Sequence, residues 1–210
     1  MMERFVRVDS IAVPLALNNV DTDMIFPSLG AERMNSLTLE RNSSFYKENG
    51  FANLRYDKQG SVDPTCLFNL PCYQGARILL ALENFACGSS REMAVWALLD
   101  MGFRCVIAPS FGDIFFSNAC ANGLLPVRVS LAFAKAALQQ ATDQPETRFS
   151  VDLQALEVTA ESGLHEGFSL DEHRRQLMLQ GMDEIGYTLK SLAVIEQHEQ
   201  AFRKRRPWMH

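Results

Sequence analysis

The chain has 210 residues, of which 47% are hydrophobic and 21% are charged, as in an ordinary globular protein. The length suits one large domain, and we expect a single domain over residues 1–210. The formal net charge of −5 gives no electrostatic reason to expect a nucleic acid as partner. No apolar run is long enough to span a membrane, and the first residues lack the apolar core of a signal peptide. We therefore expect a cytoplasmic protein.

The first third of the chain is typical of strands and loops. Residues 6–17 are β-prone, and residues 18–23 form a polar turn. Residues 28–65 are polar with weak periodicity, which indicates a long surface loop with short helical pieces. Loops of this length are uncommon unless they bind something or are disordered. We expect this one to be the segment that reads a substrate.

The middle of the chain alternates between strands and helices, which predicts a parallel α/β structure. The expected strands cover residues 76–82, 105–108 and 124–129, and the expected helices cover residues 91–101 and 114–122. Further on, helices are expected at residues 131–142, 170–180 and 192–202, and short strands at residues 149–153 and 156–160. The basic run at residues 203–206 is either a solvated C-terminal tail or a contact for an acidic partner. The whole predicts one α/β domain with a mixed or parallel sheet and flanking helices.

The five cysteines do not follow a metal-binding pattern. They stand at positions 66, 72, 87, 105 and 120, no pair is spaced as C-x-x-C, and no histidine lies near them in the sequence. We expect free thiols and no metal on this chain. A cluster involved in the chemistry would have to come from another chain.

Gly88-Ser89-Ser90-Arg91 is the strongest candidate for a binding site. These residues lie between an expected strand and an expected helix, where unpaired backbone amides hold anions well. Small residues let a ligand approach the backbone, and the Arg91 guanidinium suits a carboxylate. The residues alone equally allow a serine that caps a helix, followed by an arginine paired with a nearby acid.

The motif Asn84-Phe85-Ala86-Cys87-Gly88-Ser89-Ser90-Arg91-Glu92 resembles the signature of the swivelling domain of the aconitase superfamily. Within it, the chain most resembles the small subunits of 3-isopropylmalate dehydratases. Further segments of the resemblance follow in the family's order at residues 19–23, 73–76, 106–111, 113–115, 124–127 and 181–186. Nearly the whole chain is covered.

The resemblance implies a swivelling β/β/α domain and a specific division of roles. Ser89 corresponds to the base that removes a proton from carbon, while Ser90 and Arg91 correspond to groups that bind a substrate carboxylate. A large subunit is implied to carry a [4Fe-4S] cluster as Lewis acid. The implied reaction is the isomerisation of 2-isopropylmalate and 3-isopropylmalate through isopropylmaleate, a step of leucine biosynthesis.

Arg91 and a helix N-terminus do not suffice to make Ser89 a base. One pKa unit corresponds to about 1.4 kcal/mol, a contact from Arg91 is worth roughly 1.5–3 kcal/mol, and a helix N-terminus about 0.3–2 kcal/mol. Together they lower the pKa of a serine by about 1–4 units, which leaves it above neutrality. We therefore expect the chain to be inactive without its large subunit.

Asp21-Thr22-Asp23 has two interpretations. Such segments are common turns between strands. By the resemblance they border the active-site cleft, where the acids would orient other residues rather than contact a diacid that they repel.

Two departures from the family pattern limit the implied substrate. Met93 stands where the family usually has a histidine, and it either alters the chemistry or fills the core. The segment Ser28-Leu29-Gly30-Ala31-Glu32-Arg33-Met34 differs from the family's substrate-reading loop. Arg33 is our candidate recognition residue there, with a solvated loop arginine as the alternative. Another substituted malate, such as a methyl- or dimethyl-malate, is the second hypothesis for the substrate.

Two other classes of protein remain as alternatives. Cys87 stands between a strand and a helix, as a hydrolase or amidotransferase nucleophile does, but the four histidines lie far downstream in polar segments. A partner subunit that has lost its chemistry is the other possibility, since Met93 replaces the histidine.

Overall fold

The computed structural model describes residues 2–27 and 44–209. The strands in these ranges are β1 (Arg7–Leu15), β2 (Ile78–Ala81), β3 (Cys105–Ala108), β4 (Leu125–Arg128), β5 (Arg148–Asp152), β6 (Glu157–Ala160) and β7 (His165–Gly167). They form one sheet in the order β4-β3-β2-β1-β5-β6-β7. The pairs from β4 to β1 are parallel, and those from β1 to β7 are antiparallel. The predicted α/β class with a mixed sheet is confirmed.

Helices flank this sheet. Those in the described ranges are α1 (Thr22–Ile25), α2 (Ser44–Asn49), α3 (Ala52–Arg55), α4 (Met93–Asp100), α5 (Asp113–Asn122), α6 (Leu131–Asp143), α7 (Glu172–Gln180), α8 (Glu184–Leu189) and α9 (Leu192–Arg205). Short 3-10 turns cover Leu67–Asn69, Pro71–Tyr73 and Pro207–Met209. None of these helices combines the length and the apolar character needed to cross a membrane.

The parallel half of the sheet forms because its strands are continuous apolar runs covered by helices. Every residue of β2 and β3 is buried, as is usual for parallel strands covered on both faces. Helix α6 packs against β1, β2 and β3, and it begins at Ser130, whose hydroxyl accepts from the Phe133 amide over 3.1 Å. Helix α5 ends at Gly123 and α7 at Gly181, both in the left-handed conformation that commonly closes helices.

Some element boundaries differ from the sequence prediction. Helix α4 begins at Met93, two residues later than expected, and its N-cap is Glu92. The short helix α1 begins at Thr22, inside the predicted polar turn, and continues beyond it to Ile25. Strand β7 and helix α8 were not predicted, because β7 has only three residues and its pairing with β6 is a tertiary contact. Helix α9 continues to Arg205, so most of the basic run lies in its last turn, where cations are favourable.

The described part of the segment predicted as a surface loop, residues 44–65, contains α2 and α3 as the short helical pieces. It is not entirely at the surface, since Tyr46 is 3% exposed and Phe51 is fully buried. Tyr46 packs at 5.5 Å, ring to ring, against Trp96 of α4. Aromatic side chains therefore anchor this segment to the helix that follows the candidate site.

Candidate active site

The candidate site lies at the carboxyl edge of the parallel strands, where the loops that follow β1, β2 and β3 meet. The loop after β1 (the β1 loop) is hydrogen-bonded to the loop after β2 (the β2 loop), since the Cys87 amide donates to the Val20 carbonyl over 3.3 Å. The loop after β3 is also hydrogen-bonded to the β2 loop, since the Gly112 amide donates to the Phe85 carbonyl over 2.9 Å. Ligands of α/β proteins bind outside this edge of the sheet. Backbone pairing thus brings three loops to one place.

The β2 loop turns sharply before it reaches Ser89. Ala86 has a φ of 56° and Gly88 a φ of 101°, both in the left-handed region. An L side chain in that region costs roughly 1–2 kcal/mol, a cost that glycine avoids. Ala86 adopts it with its methyl group buried. The turn directs Ser89 toward the β1 loop.

Two side chains contact the hydroxyl oxygen of Ser89. Thr22 Oγ1 lies 2.8 Å from Ser89 Oγ, and either hydroxyl can donate. Arg91 Nε donates to the same oxygen over 3.0 Å, and the Arg91 amide does so over 3.4 Å. Thr22 is only 2% exposed. Donors directed at one oxygen favour a negative charge on it.

The two acids of the β1 loop have different contacts. Asp23 Oδ2 lies 2.6 Å from Arg91 Nη2, with the two side chains 55% and 28% exposed. Asp21 is the N-cap of α1, and its carboxylate accepts from the Met24 amide over 2.6 Å. Asp21 therefore holds the start of α1, and Asp23 holds the guanidinium whose Nε contacts Ser89.

An open depression of about 580 Å³ adjoins Ser89. Its lining residues are Ala86, Gly88, Ser89, Ser90, Gly112, Asp113, Ile114 and Phe115. The last four form the start of α5, a ten-residue helix whose N-cap is Gly112. The first amides of a helix have no intrahelical acceptor and favour anions. The depression can therefore hold a small anion beside Ser89.

The structure brings Thr22, Asp23, Ser89 and Arg91 together, while their chemical roles stay predictions. Gly88 and Ser90 line the adjoining depression, and Arg33 lies outside the described residues. Ser89 to Arg91 precede the first turn of α4, so none of them is its N-cap. The start of α5 was not predicted as part of the site, although it follows β3 as Ser89 follows β2.

Met93 packs in the core beside the site. It is partly buried against a cluster formed by Phe26, Tyr46 and Ala97. These contacts account for an apolar side chain at the first position of α4. They support the core-packing interpretation of Met93.

The cysteines and histidines of the described residues do not contribute to this depression. Burial raises the pKa of the Cys120 thiol to about 12 and that of Cys105 above its ordinary range, so both stay protonated near neutrality. His165 and His173 form pairs with Glu157 and Glu184 at exposed positions. Within residues 2–27 and 44–209, no three His, Cys, Asp or Glu side chains are placed to hold a metal ion.

Comparisons with known proteins show the family of the chain. The family model of the aconitase C-terminal domain matches residues 2–132, and the chain belongs to that family. The 3-isopropylmalate dehydratase small subunit of Sinorhizobium fredii is 40% identical over 207 residues, which are 99% of this chain and 100% of that one. That of Sinorhizobium medicae is 41% identical, with the same coverage. The chain is thus a member of the 3-isopropylmalate dehydratase small-subunit family, and its enzyme class is hydro-lyase.

A solved structure shares the fold. The crystal structure of 3-isopropylmalate dehydratase from Methanocaldococcus jannaschii superposes with a TM-score of 0.60 at 23% identity. The superposition covers 92% of this chain and 99% of the archaeal chain. The predicted aconitase-type fold is confirmed. The cytoplasmic location and the single domain over residues 1–210 stay predictions.

Proposed function

We propose that this chain is the small subunit of an enzyme that interconverts 2-isopropylmalate and 3-isopropylmalate by dehydration and rehydration. The observation that carries the proposal is the contact of Arg91 and Thr22 with the Ser89 hydroxyl, beside a depression that ends at the start of α5. The names of the full-length relatives support the same reaction.

In this proposal Ser89 is deprotonated in the assembled site and, as an alkoxide, removes the carbon-bound proton. The electron pair of the broken C–H bond forms the second bond of the alkene, and the hydroxyl on the neighbouring carbon leaves with its own electron pair. The proton then resides on Ser89 Oγ until it returns to carbon in the rehydration step. Ser90 and the outer nitrogens of Arg91 bind a substrate carboxylate, for which a guanidinium is geometrically suited.

The position of Asp23 makes Ser89 more dependent on a partner. A carboxylate at 2.6 Å from Arg91 Nη2 offsets part of the positive charge that would stabilise deprotonated Ser89. We propose that a large subunit completes the site, and that it holds the [4Fe-4S] cluster. When bound, that cluster supplies the Lewis acid for the leaving hydroxyl.

Anaerobic reconstitution with a candidate large subunit tests the proposal. A panel of substituted malates and maleates is followed by the ultraviolet absorbance of the alkene. We expect activity on 2- and 3-isopropylmalate from the complex and none from either subunit alone. Activity only on a methyl- or dimethyl-malate would replace the proposed substrate, and a large subunit equally active by itself would make this chain a non-catalytic partner.

Two variants separate the serine mechanism from a cysteine mechanism. Ser89→Ala should abolish turnover while leaving the circular dichroism spectrum unchanged, because the half-buried side chain belongs to a loop outside the helices and strands. Cys87→Ala is the matched control, since its thiol lies beside the same turn and 4.0 Å from the Val20 carbonyl oxygen. Loss of activity in Cys87→Ala with retention in Ser89→Ala would contradict the proposed base.

A further inference from the structure

Thr22 is the one side chain of the β1 loop in contact with the Ser89 hydroxyl among the described residues. It lies 67 positions earlier in the sequence, and its Oγ1 is 2.8 Å from Ser89 Oγ. Thr22 is only 2% exposed, although Ser89, the residue it contacts, lines the open depression. A buried hydroxyl needs a hydrogen-bond partner, and Ser89 supplies it.

We propose that Thr22 is a positioning residue whose hydroxyl donates a hydrogen bond to Ser89 Oγ while Ser89 is deprotonated. This inference rests on the proposed function of Ser89 as a base. It adds a group that neither the family resemblance nor the comparisons assign to the stabilisation of the base.

The direction of the hydrogen bonds around Ser89 supports this role. Arg91 can only donate, so its Nε and its amide use lone pairs of Ser89 Oγ. A neutral Ser89 is then free to donate its proton to Thr22 Oγ1. Once that proton is gone, only a donation from Thr22 keeps the 2.8 Å contact favourable. The change needs a rotation of the Thr22 hydroxyl hydrogen and no movement of heavier atoms.

The backbone keeps Thr22 in position for this exchange. Its amide donates to the Cys87 carbonyl over 3.0 Å, and its carbonyl accepts from the Phe26 amide over 2.9 Å. The first bond fixes the start of α1 against the β2 loop, and the second closes the turn of α1 itself. A hydrogen bond to a charged oxygen is stronger where water is excluded, and Thr22 is buried. The site is therefore organised before any substrate arrives.

The charged groups around Ser89 stabilise its deprotonated form only in part, so a neutral donor adds to that stabilisation. Arg91 is the cation in contact with it, and Asp23 offsets part of that charge. Asp21 is engaged at the start of α1, and Asp113 lies across the depression with its side chain in solvent. The Thr22 hydroxyl stabilises the deprotonated serine without adding a positive charge, which would bind the product diacid and slow its release.

Thr22→Val tests the inference in the reconstituted complex, because valine keeps the shape of threonine and removes the donor. The pH at which kcat/KM stops rising should move upward by about 1–2 units, and kcat at neutral pH should fall by roughly 10- to 100-fold. KM should stay within about 3-fold of the wild-type value, since Thr22 is buried and acts in this proposal through Ser89 alone. Carbon-deuterated substrate should show a larger isotope effect than with the wild type.

Three further variants complete the test. Thr22→Ser keeps the donor and should restore the wild-type pH profile. Thr142→Val is the matched control, since it removes a hydroxyl that donates over the same 2.8 Å to a backbone carbonyl in α6. If Thr22→Val does not fold, Thr22→Ala removes the donor without adding a methyl group at its place.

The outcomes separate this inference from the proposed function. If the wild-type complex is active and Thr22→Val, or Thr22→Ala in its place, leaves the pH profile and the isotope effect unchanged, only this inference is overturned. Equal losses in Thr22→Ser and Thr22→Val would also overturn it, since the role would be structural. A wild-type complex inactive on every substituted malate would overturn the proposed function and this inference together.

Discussion

Gly112 occupies a position of the site where an added side chain would meet the backbone of the β2 loop. It has ordinary backbone angles, with φ −60° and ψ 133°, so alanine is conformationally acceptable there. A Cβ atom would, however, lie 2.6 Å from the Ala86 carbonyl oxygen, about 0.8 Å inside the 3.4 Å at which ordinary contact begins. It would also lie 3.3 Å from the Cys87 Cα. The atoms that must move are backbone atoms of the turn that positions Ser89.

Gly112→Ala should therefore reduce both stability and activity. Overpacking of this kind costs roughly 1–3 kcal/mol, which lowers the melting temperature of a chain of this size by about 2–10 °C. A displacement of the catalytic group by about 1 Å reduces rates by roughly 100-fold, so kcat should fall about 10- to 100-fold. Thermal unfolding of the subunit and turnover of the reconstituted complex measure the two effects.

Gly167→Ala is the matched control for Gly112→Ala. A Cβ atom at Gly167 would meet only the Leu156 carbonyl oxygen, at 3.7 Å, which is ordinary contact. Strand β7 also lies at the opposite edge of the sheet from β4. We expect a change of less than about 0.5 kcal/mol and normal turnover. A Gly112→Ala complex as active and as stable as the wild type would refute the steric argument.

Two other predictions follow from the contacts of the site and from the thiols. Asp23→Asn should change the free energy of unfolding by less than about 1 kcal/mol, because the pair with Arg91 is partly exposed. It should lower kcat/KM by roughly 3- to 30-fold, because the loss of guanidinium orientation outweighs the gain in positive charge beside Ser89. A kcat/KM equal to that of the wild type in a folded variant would exclude an orienting role. Iodoacetamide at about pH 8 should modify exposed Cys72 and spare Cys105 and Cys120 in the folded subunit, since burial raises the pKa of both buried thiols and keeps them protonated. Mass spectrometry identifies the modified cysteines. Rapid modification of Cys120 would show that its burial is not maintained in solution.

Local sequence patterns determined much of the parallel half of the sheet. The apolar run Cys105–Ala108 forms a strand with the predicted bounds because it is fully buried and closed by a proline. The ends of α5 and α7 at Gly123 and Gly181 were predictable, because glycine adopts the left-handed conformation without steric cost. The family motif around Ser89 was equally legible, since its residues are contiguous.

Contacts between distant segments were decided by the tertiary structure alone. The antiparallel pairing of β1 with β5 and the short strand β7 depend on partners far away in the sequence. The 2.8 Å contact of Thr22 with Ser89 joins two loops that only parallel pairing of β1 and β2 brings together. A sequence pattern reports which face of a segment is apolar, whereas register and loop geometry arise when many segments pack at once. For this reason the sequence predicted Ser89 and Arg91 as candidate site residues, and the fold showed that Thr22 and Asp23 contact them.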